Sequence, residues 1–175
     1  DAVDVMSLIT DNFLLASPAG HPLAGKAALT TSDLQGEDLL LLEDGHCLRD
    51  HALEACELRD SQISVPYQAT SLATIVQMVA NGIGVTLLPE MSVAAGITAG
   101  TDIVVTPFQR RGVARKVGLM WRRKTPRAAE YRLLGEKIQP WLTQVPNGLL
   151  LLRGQAASNV DEAAIPIAQT AGKFR

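Results

Sequence analysis

The sequence predicts an α/β fold with a mostly parallel sheet. The continuous apolar run 39–42 has the length of a strand and no polar face, as a strand covered on both sides requires, and 83–88 reads as another buried strand. Between them lies an amphipathic stretch, 71–81, in which Leu72, Ile75, Val76 and Val79 share one helical face while Gln77 and Asn81 face out. Glycine and proline stand at the joints: Gly45 ends the first run, Gly82 stops the helix and Pro89 ends the second run.

Along the chain, residues 1–9 read as a short extended or irregular entry, and 12–17 as a strand alternating around Phe13 and Leu15 until Pro18. Residues 19–29 are a loop broken by Gly20, Pro22 and Gly25, and 31–34 a helical turn capped by Thr31 or Ser32. The strand 39–42 leads into a helix over 46–58 with Leu48, Ala52, Leu53 and Ala55 as its apolar positions. A polar turn at 60–64 precedes a strand at 65–69, where Pro66 implies a sheet edge or strand start. Helix 71–81 and strand 83–88 are followed by a helical turn at 89–93, a loop at 96–101 and a short strand at 103–105. A strand over 116–122 and a closing helix over 127–142 complete the order, the helix with Leu133, Leu134, Ile138, Trp141 and Leu142 as its core face. Residues 144–175 hold an apolar run at 148–152 and then sequence without helical period, and are expected to form a tail.

Composition narrows the function classes. The 175 residues suffice for one domain or one two-lobed unit, and a net charge of −2 makes no general claim on nucleic acid. No apolar stretch approaches the length of a membrane span, and residues 1–6 lack a signal peptide's basic start and apolar core, so a cytoplasmic protein with no membrane partner is expected. In the cytosol, a pair of cysteines is more often redox-active or metal-binding than structural. Arg110, Arg111, Arg115, Lys116, Arg122, Arg123, Lys124 and Arg127 form a basic cluster with no acid among them. The apolar residues 117–120 split it, so it reads as the solvated ends of a buried strand rather than a nucleic-acid surface.

The chemistry concentrates in Glu43-Asp44-Gly45-His46-Cys47-Leu48-Arg49-Asp50, with Cys56 downstream. Cys47 falls in the first turn of a helix that follows a strand, where unpaired N–H groups and the positive end of the helix dipole favour a thiolate. His46 and Arg49 add positive charge nearby, Asp44 is placed to cap the helix and Asp50 to orient Arg49. The alternative is a cysteine acting as a small buried hydrophobe. Cys56 lies nine residues after Cys47. A continuous helix would hold their Cα atoms about 13 Å apart, beyond the roughly 7 Å a disulfide allows. The segment can therefore be helix or disulfide but not both, and oxidation would have to refold it.

Gly45-His46-Cys47-Leu48-Arg49-Asp50 with a second cysteine nine positions on resembles the OxyR-type hydrogen-peroxide sensors among the LysR-type transcriptional regulators. The stretch 69–89, Ala-Thr-Ser-Leu-Ala-Thr-Ile-Val-Gln-Met-Val-Ala-Asn-Gly-Ile-Gly-Val-Thr-Leu-Leu-Pro, is similar to the second half of a LysR-type effector domain and is shared across that wider family. The resemblance implies an α/β effector domain of the type 2 periplasmic-binding-protein kind, its second lobe complete and its first only partial. Residues 1–143 would be this partial regulatory domain, with about 10–112 as the second lobe and 113–143 the return to the first. Residues 144–175 fit the family weakly, and the DNA-binding domain is absent. Asp1 in place of a methionine start is likewise expected of a fragment. Residues 1–9 and 113–143 would be poorly supported, or paired with material absent from this chain.

The resemblance also implies a mechanism. The Cys47 thiolate attacks the peroxide O–O bond and becomes a sulfenic acid, Cys56 condenses with it to a disulfide, and a thiol reductant resets the pair. His46, Arg49 and Asp50 are carried over as residues near the reactive sulfur. The partners implied are hydrogen peroxide, a second copy of the chain in a dimer or tetramer, and promoter DNA through the absent domain. No cofactor or metal is expected, and a sensor that reacts once per signal is not an enzyme. Thr70 and Ser71 present hydroxyls and N–H groups at a helix start that faces the effector cleft in the family, so they are candidate ligand-binding residues beside their ordinary capping role. Three rivals stand beside this reading: a regulator that binds a small effector and has incidental cysteines, a metal sensor built on the i, i+4 pair Cys47 and His51, and a thiol peroxidase.

Overall fold

The computed structural model describes residues 2–58, 64–109 and 113–144. Its elements are β1 (Val3–Pro18), a 3-10 turn (Thr31–Leu34), β2 (Leu41–Leu42), α1 (Cys47–Ala55), β3 (Gln68–Ala69), α2 (Leu72–Ala80), β4 (Thr86–Pro89), α3 (Glu90–Ala94), β5 (Ile103–Pro107), β6 (Ala114–Arg122) and α4 (Ala128–Gln144). Most of the expected polar turn at 60–64 and the tail at 144–175 lie outside the described residues.

One strand organises the fold. β1 is 16 residues long and pairs with β6 along its first part, from Val3↔Arg122 to Asn12↔Ala114. From Phe13 onward it is flanked by β4 on one side and β5 on the other. All three pairings are antiparallel, which corrects the expectation of a mostly parallel sheet. Among the described residues, parallel pairing is confined to β2 with β3 and to single bridges at Leu29/Phe108, Asp38/Ser64 and Leu39/Val85. Residues 3–9, expected to be a short extended or irregular entry, are part of β1, and the chain returns alongside them as β6.

The run 39–42 is buried on both faces, as its continuous apolar character requires. Leu39 and Leu41 join Phe13, Leu15, Val85 and Leu87 in the core beneath α1, while Leu40 and Leu42 turn to Ile75 and Val79 of α2. Thr86, also buried, satisfies its hydroxyl by donating to the Leu40 carbonyl at 2.7 Å.

α4 covers the β1–β6 pair with only part of the expected face, Ile138 and Leu142. Leu133, Leu134 and Trp141 are exposed, while Tyr131, Gly135, Ile138 and Leu142 are the inward positions. The small Gly135 lets the helix approach closely, since a Cβ there would meet the Met6 sulfur. Tyr131 packs its ring against Trp121 with centroids 5.9 Å apart. Within the described part of the basic cluster, Arg115 pairs with Asp11, Arg123 with Asp4, and Arg127 with Glu130.

Candidate functional site

The site is built where β2 and β3 end. These strands run parallel in the register Leu41↔Gln68 and Leu42↔Ala69, so their carboxyl ends share one edge. Ligands of open α/β sheets gather at such edges, because helix N-termini point there. The Glu43 N–H donates to the Ala69 carbonyl at 3.1 Å and ties the two exits together. After β2 the chain turns at Gly45, whose φ of 91° lies in the left-handed region that favours glycine. His46 is the N-cap of α1 and makes no side-chain cap bond, and Cys47 is the first helical residue, with an exposed thiol. Across the edge, Ser71 is the N-cap of α2, likewise without a side-chain cap bond, and Thr70 and Ser71 are both exposed.

Asp44 lends its carboxylate to Arg49 rather than to the helix end. The Arg49 Nε lies 2.9 Å from Asp44 Oδ1, with the guanidinium side chain only 10 % exposed and the carboxylate open to solvent. Asp50 is exposed in the first turn. His46, Cys47, Arg49 and Asp50 all lie at the start of α1, and Thr70 and Ser71 at the start of α2. Cys56 is not part of this group. It is the C-cap residue at the far end of α1, 1 % exposed, inside the core formed with Leu41 and Ala52. Burial pushes its thiol up to about 12.

This arrangement overturns the disulfide reading. Both cysteines are free, one exposed and one buried. The α1 helix between them is continuous, and its rise separates their Cα atoms by about 13 Å. A redox-active Cys47–Cys56 disulfide is therefore not a feature of this fold. The metal-sensor rival fares no better: among the described residues no group of three or more His, Cys, Asp or Glu side chains is placed to hold an ion.

Sequence reasoning missed a second cluster. Asp11, 2 % exposed, lies opposite Arg115 in the β1–β6 register and binds its Nε at 2.9 Å. The signal was present as three consecutive polar residues, Thr10-Asp11-Asn12, inside a strand. Arg115 in turn lines a cleft of about 460 Å³ between the start of β6 and α1, with His51, Glu54, Glu57 and Lys116.

The family model for the LysR substrate binding domain matches residues 1–142. The hydrogen peroxide-inducible genes activator of Escherichia coli O6:H1 is 38% identical over 132 residues, covering 75% of this chain and 43% of that protein. The reduced regulatory domain of OxyR2 from Vibrio vulnificus superimposes with a TM-score of 0.70 at 34% identity, over 80% of this chain and 66% of that one. An H2O2-bound cysteine-to-serine mutant of Corynebacterium glutamicum OxyR gives a TM-score of 0.73 at 28% identity, over 87% of this chain and 47% of that one. The chain belongs to the LysR substrate binding domain family, as a regulatory, effector-binding domain of the OxyR type. It spans less than half the length of the curated relatives it matches. Among the described residues no helix is long and apolar enough to cross a membrane.

Proposed function

We propose that this chain is the effector-sensing domain of a cytoplasmic LysR-type transcription regulator. It receives a small molecule at the edge where 43–47 and 70–71 converge. The observation that carries this reading is the pair of helix starts, His46-Cys47 and Thr70-Ser71, whose side chains are open rather than spent on capping. The relatives supply the effector: they are named for hydrogen peroxide-inducible genes, and one solved relative is bound to hydrogen peroxide. In this reading Cys47 faces the effector. Arg49 sets positive charge behind it, His46 and Asp50 flank it, and Thr70 and Ser71 offer hydroxyls and N–H groups from the other loop. Cys56 serves the core. A thiol reductant, which a disulfide cycle would need, has no place here.

The remaining proposals concern the whole regulator. The β1–β6–α4 part belongs to a first lobe of a two-lobed binding fold and the rest forms the second. The regulator self-associates as a dimer or tetramer and engages promoter DNA through a domain outside this chain. The family's arrangement and the exposed apolar Val5, Met120 and Leu133 support the first of these.

The test is the backbone amide spectrum of the chain before and after addition of hydrogen peroxide. Resonances of 43–49 and 69–72 should shift while those of α4 stay in place. An unchanged spectrum, or shifts centred away from this edge, would remove the reading.

A further inference from the structure

β1 changes neighbours within one step: Asn12↔Ala114 is its last pair with β6, and Phe13↔Pro89 its first with β4. Asp11 sits at this joint with its side chain fully out of solvent. A carboxylate is held there only if its oxygens are satisfied, and each has its own partner. Oδ2 accepts from Arg115 Nε of β6 at 2.9 Å, and Oδ1 accepts from the Met91 N–H of α3 at 3.0 Å. The next residue repeats the link, because Asn12 Nδ2 donates to Glu90 Oε2 at 2.7 Å. Arg115 also borders the cleft against α1, together with His51, Glu54 and Glu57.

We infer that Asp11 is a coupling residue: its carboxylate joins Arg115, in the cleft beside α1, to the first turn of α3, so that displacing Arg115 is felt at α3. The two ends of β1 move as one while both bonds hold. A change at the cleft that draws the guanidinium away leaves Oδ2 without its cation and loosens the grip of Oδ1 on α3. The inference goes beyond the effector-edge reading and does not rest on it, since it concerns a different group of residues.

Amide exchange in the intact chain tests it, read at Met91 and referenced to Val79 in the core of α2. Arg115→Gln removes a group that reaches Met91 through Asp11. It should speed Met91 exchange about tenfold while Val79 is unchanged, and the milder Arg115→Lys should do so less. Asp11→Asn should give the same increase, and the double variant should match either single one, because both act through one bond. If Arg115→Gln leaves Met91 within about twofold of the parent while Asp11→Asn accelerates it, the carboxylate is a local cap and the coupling is refuted. Additive effects in the double variant would refute it equally.

Discussion

Cys47 and Cys56 bracket α1: the first is exposed at its opening turn, and the second is sealed in the core at its closing end. The pair is thereby divided into a surface thiol and a packing residue. A thiol reagent should modify Cys47 in the native protein roughly a hundredfold faster than Cys56, which should react only on unfolding. Mass spectrometry of timed alkylation, with Cys47→Ser alongside, checks this.

Burial raises the Cys56 thiol from 9.0 to about 12. Between these values the unfolded chain gives up a proton that the folded chain keeps. The stabilisation is therefore complete below pH 9 and is lost as pH rises toward 12. The slope from this group is about 1.4 kcal/mol per pH unit. Urea midpoints from about pH 8 to about pH 10.5 should fall more steeply for the parent than for Cys56→Ala.

Asp33 behaves in the opposite sense. The Lys26 ammonium at 2.6 Å, then the Thr30 backbone N–H and hydroxyl, hold its carboxyl down from 3.8 to about 2. Its contribution is present above pH 3.8 and lost as pH falls through about 2. Asp33→Asn should reduce stability at neutral pH, and the difference from the parent should close on acidification. Paired urea titrations at both ends of that range report it.

Leu40 and Leu133 contrast a true core position with an apparent one. Leu40 is fully buried between β2 and α2, whereas Leu133 is 55 % exposed on α4. Leu40→Ala should cost roughly 2–5 kcal/mol, and Leu133→Ala within about 0.5 kcal/mol. Equal losses would return Leu133 to the core face.

The legible parts of the fold were those where one local pattern answered one local environment. The run 39–42 is buried on both faces, the 71–81 pattern gives α2, and Gly45 marks the turn into α1. β1 was cut short because its alternation breaks between Ser7 and Ile9, where the register with β6 shifts, and then meets Thr10-Asp11-Asn12. The partner that makes these residues a strand lies more than a hundred positions away. On α4, Ile138 and Leu142 face inward as the pattern implies, but Leu133, Leu134 and Trp141 do not, because the buried position is Gly135, which carries no hydrophobic signal. The placement of His46, Cys47, Arg49 and Asp50 around one helix start was legible from spacing. The role of Cys56 was not, because a cysteine's burial is set by packing that spacing does not reveal. Asp44 was assigned to the helix end, whereas its carboxylate goes to Arg49.

The central claim is that the edge holding Cys47 and Thr70 receives the effector. Amide exchange of the parent, Cys47→Ala and Thr70→Ala, each with and without a brief hydrogen peroxide pulse, tests it most directly. A peroxide-dependent change is expected at 43–49 and 69–72 in the parent, lost in Cys47→Ala and weakened in Thr70→Ala. A response of the same size and place in Cys47→Ala would contradict it.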